Sequence, residues 1–154
     1  MFDVVLYRPE IPPNTGNIMR LCANTGSRLH LIHPLGFDLD DSKLRRAGLD
    51  YREWAEVREH TSLEALVDSV SPARLIAFTR DGPGRYSDVD YQPGDALLFG
   101  PESDGLPDDV LESSLLDQRV RIPMLPRSRS LNLSNAVAVV VFEAWKRHDF
   151  TGGI

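Results

Sequence analysis

Short apolar segments alternate with helix-forming segments along this chain, and that alternation limits the fold more than any other feature. Runs of about five apolar and β-branched residues are typical of buried strands. They occur at Asp3–Tyr7, Leu29–Ile32, Arg74–Thr79 and Asp95–Phe99, with a weaker run at Trp54–Val57 and a last one at Gln118–Ile122. The last strand should end at Pro123, because proline cannot donate to a sheet ladder. Strands that alternate with helices predict an α/β domain with a mainly parallel sheet flanked by helices.

Helices are expected between these strands. The prolines at 9, 12 and 13 predict an extended loop that is not helical, and Thr61 is a plausible helix cap. The predicted helices are Ile18–Asn24, Asp40–Ala47, Ser62–Val70, one that starts within Pro107–Ser113, and Ala136–Trp145.

The start of the last helix is unusually polar. Ser130, Asn132, Ser134 and Asn135 have short side chains that cap helices or bond nearby backbone, and four of them are more than one cap needs. They predict a helix N-terminus that holds a polar ligand, where backbone amides are free. An ordinary cap on a core helix is the alternative. The segment 136–142 is apolar on every face, which predicts burial on every side.

Length and composition indicate one domain that spans residues 1–154, long enough to bury a core. No apolar stretch reaches about 18 residues, so no membrane span is expected. The N-terminus has no charged segment followed by a cleavage site, so no signal peptide is expected. The single cysteine, Cys22, excludes an intrachain disulfide and suits a reducing compartment such as the cytoplasm.

The net charge of -6 argues mildly against a nucleic-acid partner, but the charges are unevenly distributed. Between residues 119 and 147, Glu143 is the single acidic residue. The basic residues there are Arg119, Arg121, Arg127, Arg129, Lys146 and Arg147. A basic end on an acidic body is compatible with RNA binding.

Several common kinds of site are missing from the sequence. There is no dinucleotide-binding glycine motif after a strand, no triphosphate-binding loop and no serine nucleophile elbow. The four histidines have no metal-ligand spacing with one another or with Cys22, so no metal site is expected. These absences argue against a hydrolase or kinase function.

Three segments match the motifs of a known family. They are Asn14-Thr-Gly-Asn-Ile-Met-Arg20, Leu98-Phe-Gly-Pro-Glu-Ser-Asp-Gly-Leu-Pro107, and Ile122-Pro-Met124 with Ser128-Arg-Ser-Leu-Asn-Leu-Ser-Asn135. In this order they resemble the SPOUT RNA methyltransferases, in particular the small ribose 2′-O-methyltransferases that modify the wobble nucleotide (cytidine or uridine 34) of tRNA. The resemblance covers nearly the whole chain.

The resemblance implies a C-terminal trefoil knot, a bound S-adenosyl-L-methionine, a homodimer, and the anticodon loop of tRNA as the substrate. Residue by residue, it implies that the cofactor contacts Phe78, Thr79, Gly100, Glu102, Ile122, Met124, Ser130, Leu131 and Asn132. Physically, these loops offer backbone donors and acceptors together with apolar cover for an adenine. Gly100 would let the backbone approach the ligand.

The resemblance also implies that Arg20 is the central catalytic residue, with Asn14 a helical turn or more before it, and that the catalytic residues Ser130 and Asn132 orient the ribose and hold the loop. A guanidinium keeps its proton in proteins, so we expect Arg20 to clamp phosphate and a developing alkoxide and not to act as the base. Arg127, Arg129, Lys146 and Arg147 are candidate phosphate contacts. The sequence departs from the family pattern at Asp104 and at Leu125-Pro126-Arg127, which leaves the RNA footprint open.

Two other functions stay open at this point. One is a knotted RNA-binding or assembly module that does not turn over. The other is a ribosomal RNA ribose methyltransferase of the same fold.

Overall fold

The computed structural model describes residues 1–48 and 55–154, in which a parallel sheet lies between two layers of helices. The strands are β1 (Asp3–Tyr7), β2 (Arg28–Ile32), β3 (Val57–His60), β4 (Arg74–Phe78), β5 (Gly84–Arg85), β6 (Asp95–Phe99) and β7 (Gln118–Arg121). The helices are α1 (Pro12–Thr25), α2 (Ser42–Gly48), α3 (Leu63–Val70), α4 (Asp108–Leu111) and α5 (Leu133–Lys146).

The strand order is β3-β2-β1-β6-β4-β7-β5, and every described pair is parallel. The predicted α/β fold with a parallel sheet is therefore confirmed. The chain order reverses beside β1, which lies between β2 and β6. In parallel sheets, ligands bind beyond the carboxyl ends of the strands, near such a reversal.

The two faces of the sheet bury different helices because side chains alternate along each strand. Val4 and Leu6 of β1 face the cluster that contains the buried sides of α1 and α5. Val5 and Tyr7 face the opposite cluster, which contains α3 and α4. Within the described parts of the chain, no helix is both long and apolar enough to cross a membrane.

Helix α1 starts earlier than the sequence indicates. It begins at Pro12, and Ile11 is its N-cap residue. The predicted extended loop through Pro13 is therefore wrong. Proline fits the first turn because amides there have no intrahelical partner in any case. The predicted stop at Gly26 is confirmed, since this glycine closes the helix with a φ of 68°.

Helix α5 is not buried on every side, so that prediction is wrong. Val137, Val140 and Val141 are fully buried, whereas Val139 is 37% exposed and Phe142 is 46% exposed. An all-apolar helix in this position leaves an uncovered apolar strip.

The other boundaries differ by a few residues. Ser62, not Thr61, caps α3, and its Oγ accepts from Ala65 N at 3.0 Å. Gly84–Arg85 forms a two-residue strand that pairs with β7. The weak strand expected at Trp54–Val57 lies partly outside the described residues, and β3 starts at its last residue, Val57.

Candidate active site

Three loops leave the sheet side by side at its carboxyl edge. In the parallel register, Phe78 is opposite Phe99 on one side and opposite Val120 on the other. The rings of Phe78 and Phe99 stack with centroids 4.8 Å apart and planes within 9°. The loops that begin at Thr79, Gly100 and Ile122 therefore start next to one another, as the expected site requires. Phe78 is only 8% exposed, so little of this residue is open to a ligand and its predicted cofactor contact stays a prediction.

The loop after β4 is tied to the end of β7. Thr79 N donates to Val120 O at 2.9 Å. A Cβ on Gly82 would lie 2.4 Å from the Val120 carbonyl carbon, so this close approach requires glycine. Arg121 Nη1 donates to Gly82 O at 2.8 Å and to Pro83 O at 3.0 Å. Arg121 thus holds two of the three loops together. The sequence carries no sign of this role, because the acceptors are backbone carbonyls nearly forty residues earlier.

The loop after β6 folds back on itself. A Cβ on Gly100 would lie 2.3 Å from Leu106 N and 2.5 Å from the carbonyl carbon of Gly105. The absent side chain thus makes room for the chain's own backbone, and the expected reason, approach to a ligand, is not needed to explain this glycine. Gly105 completes the turn with a φ of 67°, and its N–H donates to Pro101 O at 3.0 Å.

Glu102 bonds to backbone amides that precede α1. Its carboxylate accepts from Glu10 N at 3.0 and 3.1 Å and from Ile11 N. Burial raises the pKa of Glu102, the two amides lower it, and the charge of Glu10 raises it again; the net direction is upward. Glu102 therefore holds the loop after β6 against the start of α1. Its predicted contact with the cofactor is a separate matter and stays a prediction.

Asn14 and Asn132 meet although they are far apart in sequence. Asn132 Nδ2 donates to Asn14 Oδ1 at 2.9 Å. The Asn132 Oδ1 accepts from Ser134 N at 2.9 Å, from Asn135 N at 3.3 Å and from Ser134 Oγ at 2.6 Å. One asparagine thus caps α5 and ties it to α1. Part of the polar excess at the start of α5 serves this cap.

The loop between β7 and α5 exposes apolar side chains beside these residues. Met124 is 40% exposed, Leu125 79% and Leu131 38%. Ser130 is also exposed, and Ile122 is half-buried. Apolar side chains next to free backbone groups are what a flat heterocycle needs for cover and for hydrogen bonding.

Arg20 is exposed on α1, a helix that packs against both α5 and α2. It shares α1 with Asn14, which is 5% exposed. Of the four candidate phosphate contacts, Arg147 is engaged within the fold. Its guanidinium pairs with Glu143 Oε1 at 2.9 Å and donates to Ser87 O. Arg127, Arg129 and Lys146 are exposed, and Arg127 has a positive φ of 67°.

The comparisons with known proteins show the family to which this chain belongs. The model of the SpoU rRNA Methylase family matches residues 1–142. The chain belongs to this family. A relative from Burkholderia ambifaria, named tRNA (cytidine(34)-2′-O)-methyltransferase, is 62% identical and covers 99% of each chain.

Solved structures resemble this SpoU-family chain over nearly its whole length. One, described as giving structural insights into the 2-OH methylation of C/U34 on tRNA, has a TM-score of 0.91 and 44% identity, covering 97% of each chain. Another is the SpoU methyltransferase AviRb from Streptomyces viridochromogenes in complex with the cofactor AdoMet. It has a TM-score of 0.84 and 27% identity, and covers 96% of this chain and 60% of that one.

Two histidines of this SpoU-family chain, His30 and His60, belong to a buried polar network that serves its structure. His30 is fully buried, with Nε2 2.7 Å from Asp3 Oδ1 and Nδ1 2.9 Å from His60 Nε2. Arg28 adds a bidentate pair to Asp3 at 2.7 and 2.8 Å.

Burial raises the pKa of the Cys22 thiol to about 12, which makes it a poor nucleophile. Within the described ranges, no group of three or more His, Cys, Asp or Glu side chains could hold a metal ion.

Proposed function

We propose that this protein is an S-adenosylmethionine-dependent tRNA methyltransferase that methylates the ribose 2′-hydroxyl of nucleotide 34, a cytidine or uridine. The observation that carries the proposal is the end-to-end similarity to relatives named for this reaction. The family model is named for ribosomal RNA, which keeps the ribosomal substrate as the second candidate. The relatives over the full length, however, carry the tRNA name.

The residues at the sheet edge fit the cofactor. Gly100 and Ile122 would offer backbone groups to the adenine, and Thr79 would lie beside it, because the three loops start in adjacent positions of the sheet. Met124 and Leu131 are exposed apolar side chains that would cover it. Phe78, Glu102, Ser130 and Asn132 complete the proposed contact set. When bound, S-adenosylmethionine supplies an electrophilic methyl group on a sulfonium centre.

The chain's own residues would orient the ribose and stabilise charge. Arg20 would clamp an RNA phosphate and the oxygen that loses its proton, since its forked donors match phosphate geometry. Asn14, Ser130 and Asn132 would hold the ribose in line with the methyl group. Alignment and exclusion of water contribute much of the acceleration in such a displacement. The proton would leave to phosphate or water.

We also propose a homodimer that works in the cytoplasm. The support for the dimer is the apolar strip of α5, where Val139 and Phe142 stay exposed. A second copy would cover this strip, and the cost of leaving it in water favours association. The trefoil knot is a further prediction of the family resemblance.

Methyl transfer from labelled cofactor to bulk tRNA tests the function. We expect incorporation at nucleotide 34, mapped by ribose-methylation sequencing, and loss of at least a hundredfold in Arg20→Ala (about 3 kcal/mol of transition-state stabilisation). Lys43→Ala, a change at an exposed residue of α2, is the control. Methylation of ribosomal RNA but not tRNA would favour the second candidate. RNA binding without cofactor binding by calorimetry would favour the binding module.

A further inference from the structure

Two glutamates clasp the loop before α1 to the loop after β6. The Glu102 carboxylate accepts from the backbone N–H groups of Glu10 and Ile11. In return, Glu10 Oε1 accepts from Ser103 N at 3.1 Å and from Ser103 Oγ at 2.7 Å. Each loop therefore supplies both a carboxylate and the donors for the other loop's carboxylate. We call these four residues, Glu10, Ile11, Glu102 and Ser103, the glutamate clasp.

The clasp links residues that are more than ninety positions apart in sequence, and it lies at the start of α1. Ile11 is the N-cap of that helix and has no side chain that can cap it. The residues before Ile11 are also held in place by the loop that contains Gly36. Gly36 N donates to Pro9 O at 2.9 Å, and a Cβ on Gly36 would lie 2.9 Å from Glu10 Cα. The segment thus has little room to move unless the clasp opens.

The clasp joins the two halves of the proposed reaction. Helix α1 carries Asn14 and Arg20, whereas the loop after β6 carries Gly100 and Glu102 on the cofactor side. Loss of the bonds between Glu10 and Ser103 would loosen the start of α1 against that loop and leave the hydrophobic core in place, because both residues are exposed. A displacement of about 1 Å at a reacting group can cost on the order of a hundredfold in rate.

We propose that Glu10 is a positioning residue for methyl transfer. Through Ser103, Glu10 keeps the start of α1 in a fixed position against the loop after β6. Arg20 then stays aligned with the methyl donor. This inference rests on the proposed function. It assigns to Glu10 no contact with RNA or cofactor.

Steady-state kinetics of four variants test the role. Glu10→Ala removes the acceptor, and we expect kcat to fall about tenfold or more while KM for tRNA stays within about twofold. Glu10→Gln keeps an acceptor oxygen for Ser103 and should retain at least about half of kcat. Ser103→Ala keeps the backbone donor and should fall between the two. Glu112→Ala, at an exposed glutamate after α4, is the matched control.

Hydrogen–deuterium exchange gives a readout that does not need activity. We expect faster exchange in Glu10→Ala for a peptide that covers residues 10–16, and unchanged exchange in β1 and β6. A kcat of Glu10→Ala within twofold of wild type, unchanged exchange at residues 10–16, or equal kcat losses in the Ala and Gln variants would each overturn the proposal. An inactive wild-type enzyme would refute the proposed function instead, and the exchange experiment would then still test the clasp.

Discussion

Replacement of Asn132 by alanine should remove two kinds of bond at once. The side chain caps α5 through Ser134 N and Asn135 N and donates to Asn14 Oδ1 at 2.9 Å. Loss of an asparagine cap costs about 1 kcal/mol. Loss of the donor to Asn14 costs about 1 kcal/mol more and leaves a polar oxygen at a residue only 5% exposed. We therefore expect the free energy of unfolding to fall by about 2–3 kcal/mol.

A double-mutant cycle separates the two contributions. Asn14→Ala removes the link but not the cap, so it should cost about 1 kcal/mol. The double variant should cost less than the sum of the two single variants by about 0.5–1.5 kcal/mol, because the link can be lost only once. Asn135→Ala, at an exposed residue in the same first turn, is the control and should change stability by less than about 0.5 kcal/mol.

Equilibrium unfolding in urea at one fixed protein concentration measures these differences, with the slope against denaturant required to stay constant. Strict additivity of Asn14→Ala and Asn132→Ala would refute the link. A loss below about 0.5 kcal/mol in Asn132→Ala would refute both the link and the cap.

Three other changes test the fold. Gly100→Ala should lower the free energy of unfolding, measured in urea, by about 3 kcal/mol or more. Its Cβ would meet backbone atoms at 2.3 and 2.5 Å, and backbone atoms cannot rotate away. A smaller loss of stability than in Ala23→Gly would count against this. Ser62→Ala should lower the free energy of unfolding by about 1 kcal/mol through loss of the α3 cap, whereas Ser62→Thr should not. Burial, and then the charges of His30 and Arg58, lower the pKa of His60 below 6.5. The folded chain therefore binds this proton less readily than the unfolded chain. The stability that His60 contributes above pH 6.5 is then lost as the pH falls below 6.5. Thermal midpoints at pH 7.5 and 5.5 should therefore drop further for wild type than for His60→Gln, and equal drops would contradict the assignment.

Most of the sheet could be predicted from the sequence because its buried strands carry their own signal, whereas the two-residue strand β5 carries none. Runs such as Asp95–Phe99 are buried along their whole length, so composition alone marks them as central strands of a parallel sheet. Boundaries were less predictable where two physical rules compete. Pro12 and Pro13 forbid a helix interior but suit a helix start, and only the packing of α1 decides between these outcomes.

The apolar strip of α5 could not be predicted from composition. A side chain such as Phe142 has the same hydrophobicity whether the domain's own core or another molecule covers it. The sequence therefore indicates that α5 must be covered, but not by what. The buried stripe through Val137, Val140, Val141 and Ala144 accounts for the core side, and the exposed Val139 and Phe142 form the proposed dimer surface.

The connections within the site are non-local, and they meet at the first turn of α1 for a chemical reason. Pro12 and Pro13 have no N–H, and Asn14 N donates to Ile11 O at 3.1 Å. The amides of Glu10 and Ile11 are then the donors left for another part of the chain, and Glu102 accepts from both. One turn later, the Asn14 side chain accepts from Asn132 of α5. The proline pair that makes the helix start hard to predict from the sequence adds no donors of its own, so the amides of Glu10 and Ile11 join the loop after β6 to the helix that carries Arg20. Replacing either proline would add an N–H group to this turn. Glu102, however, already has its donors in Glu10 and Ile11.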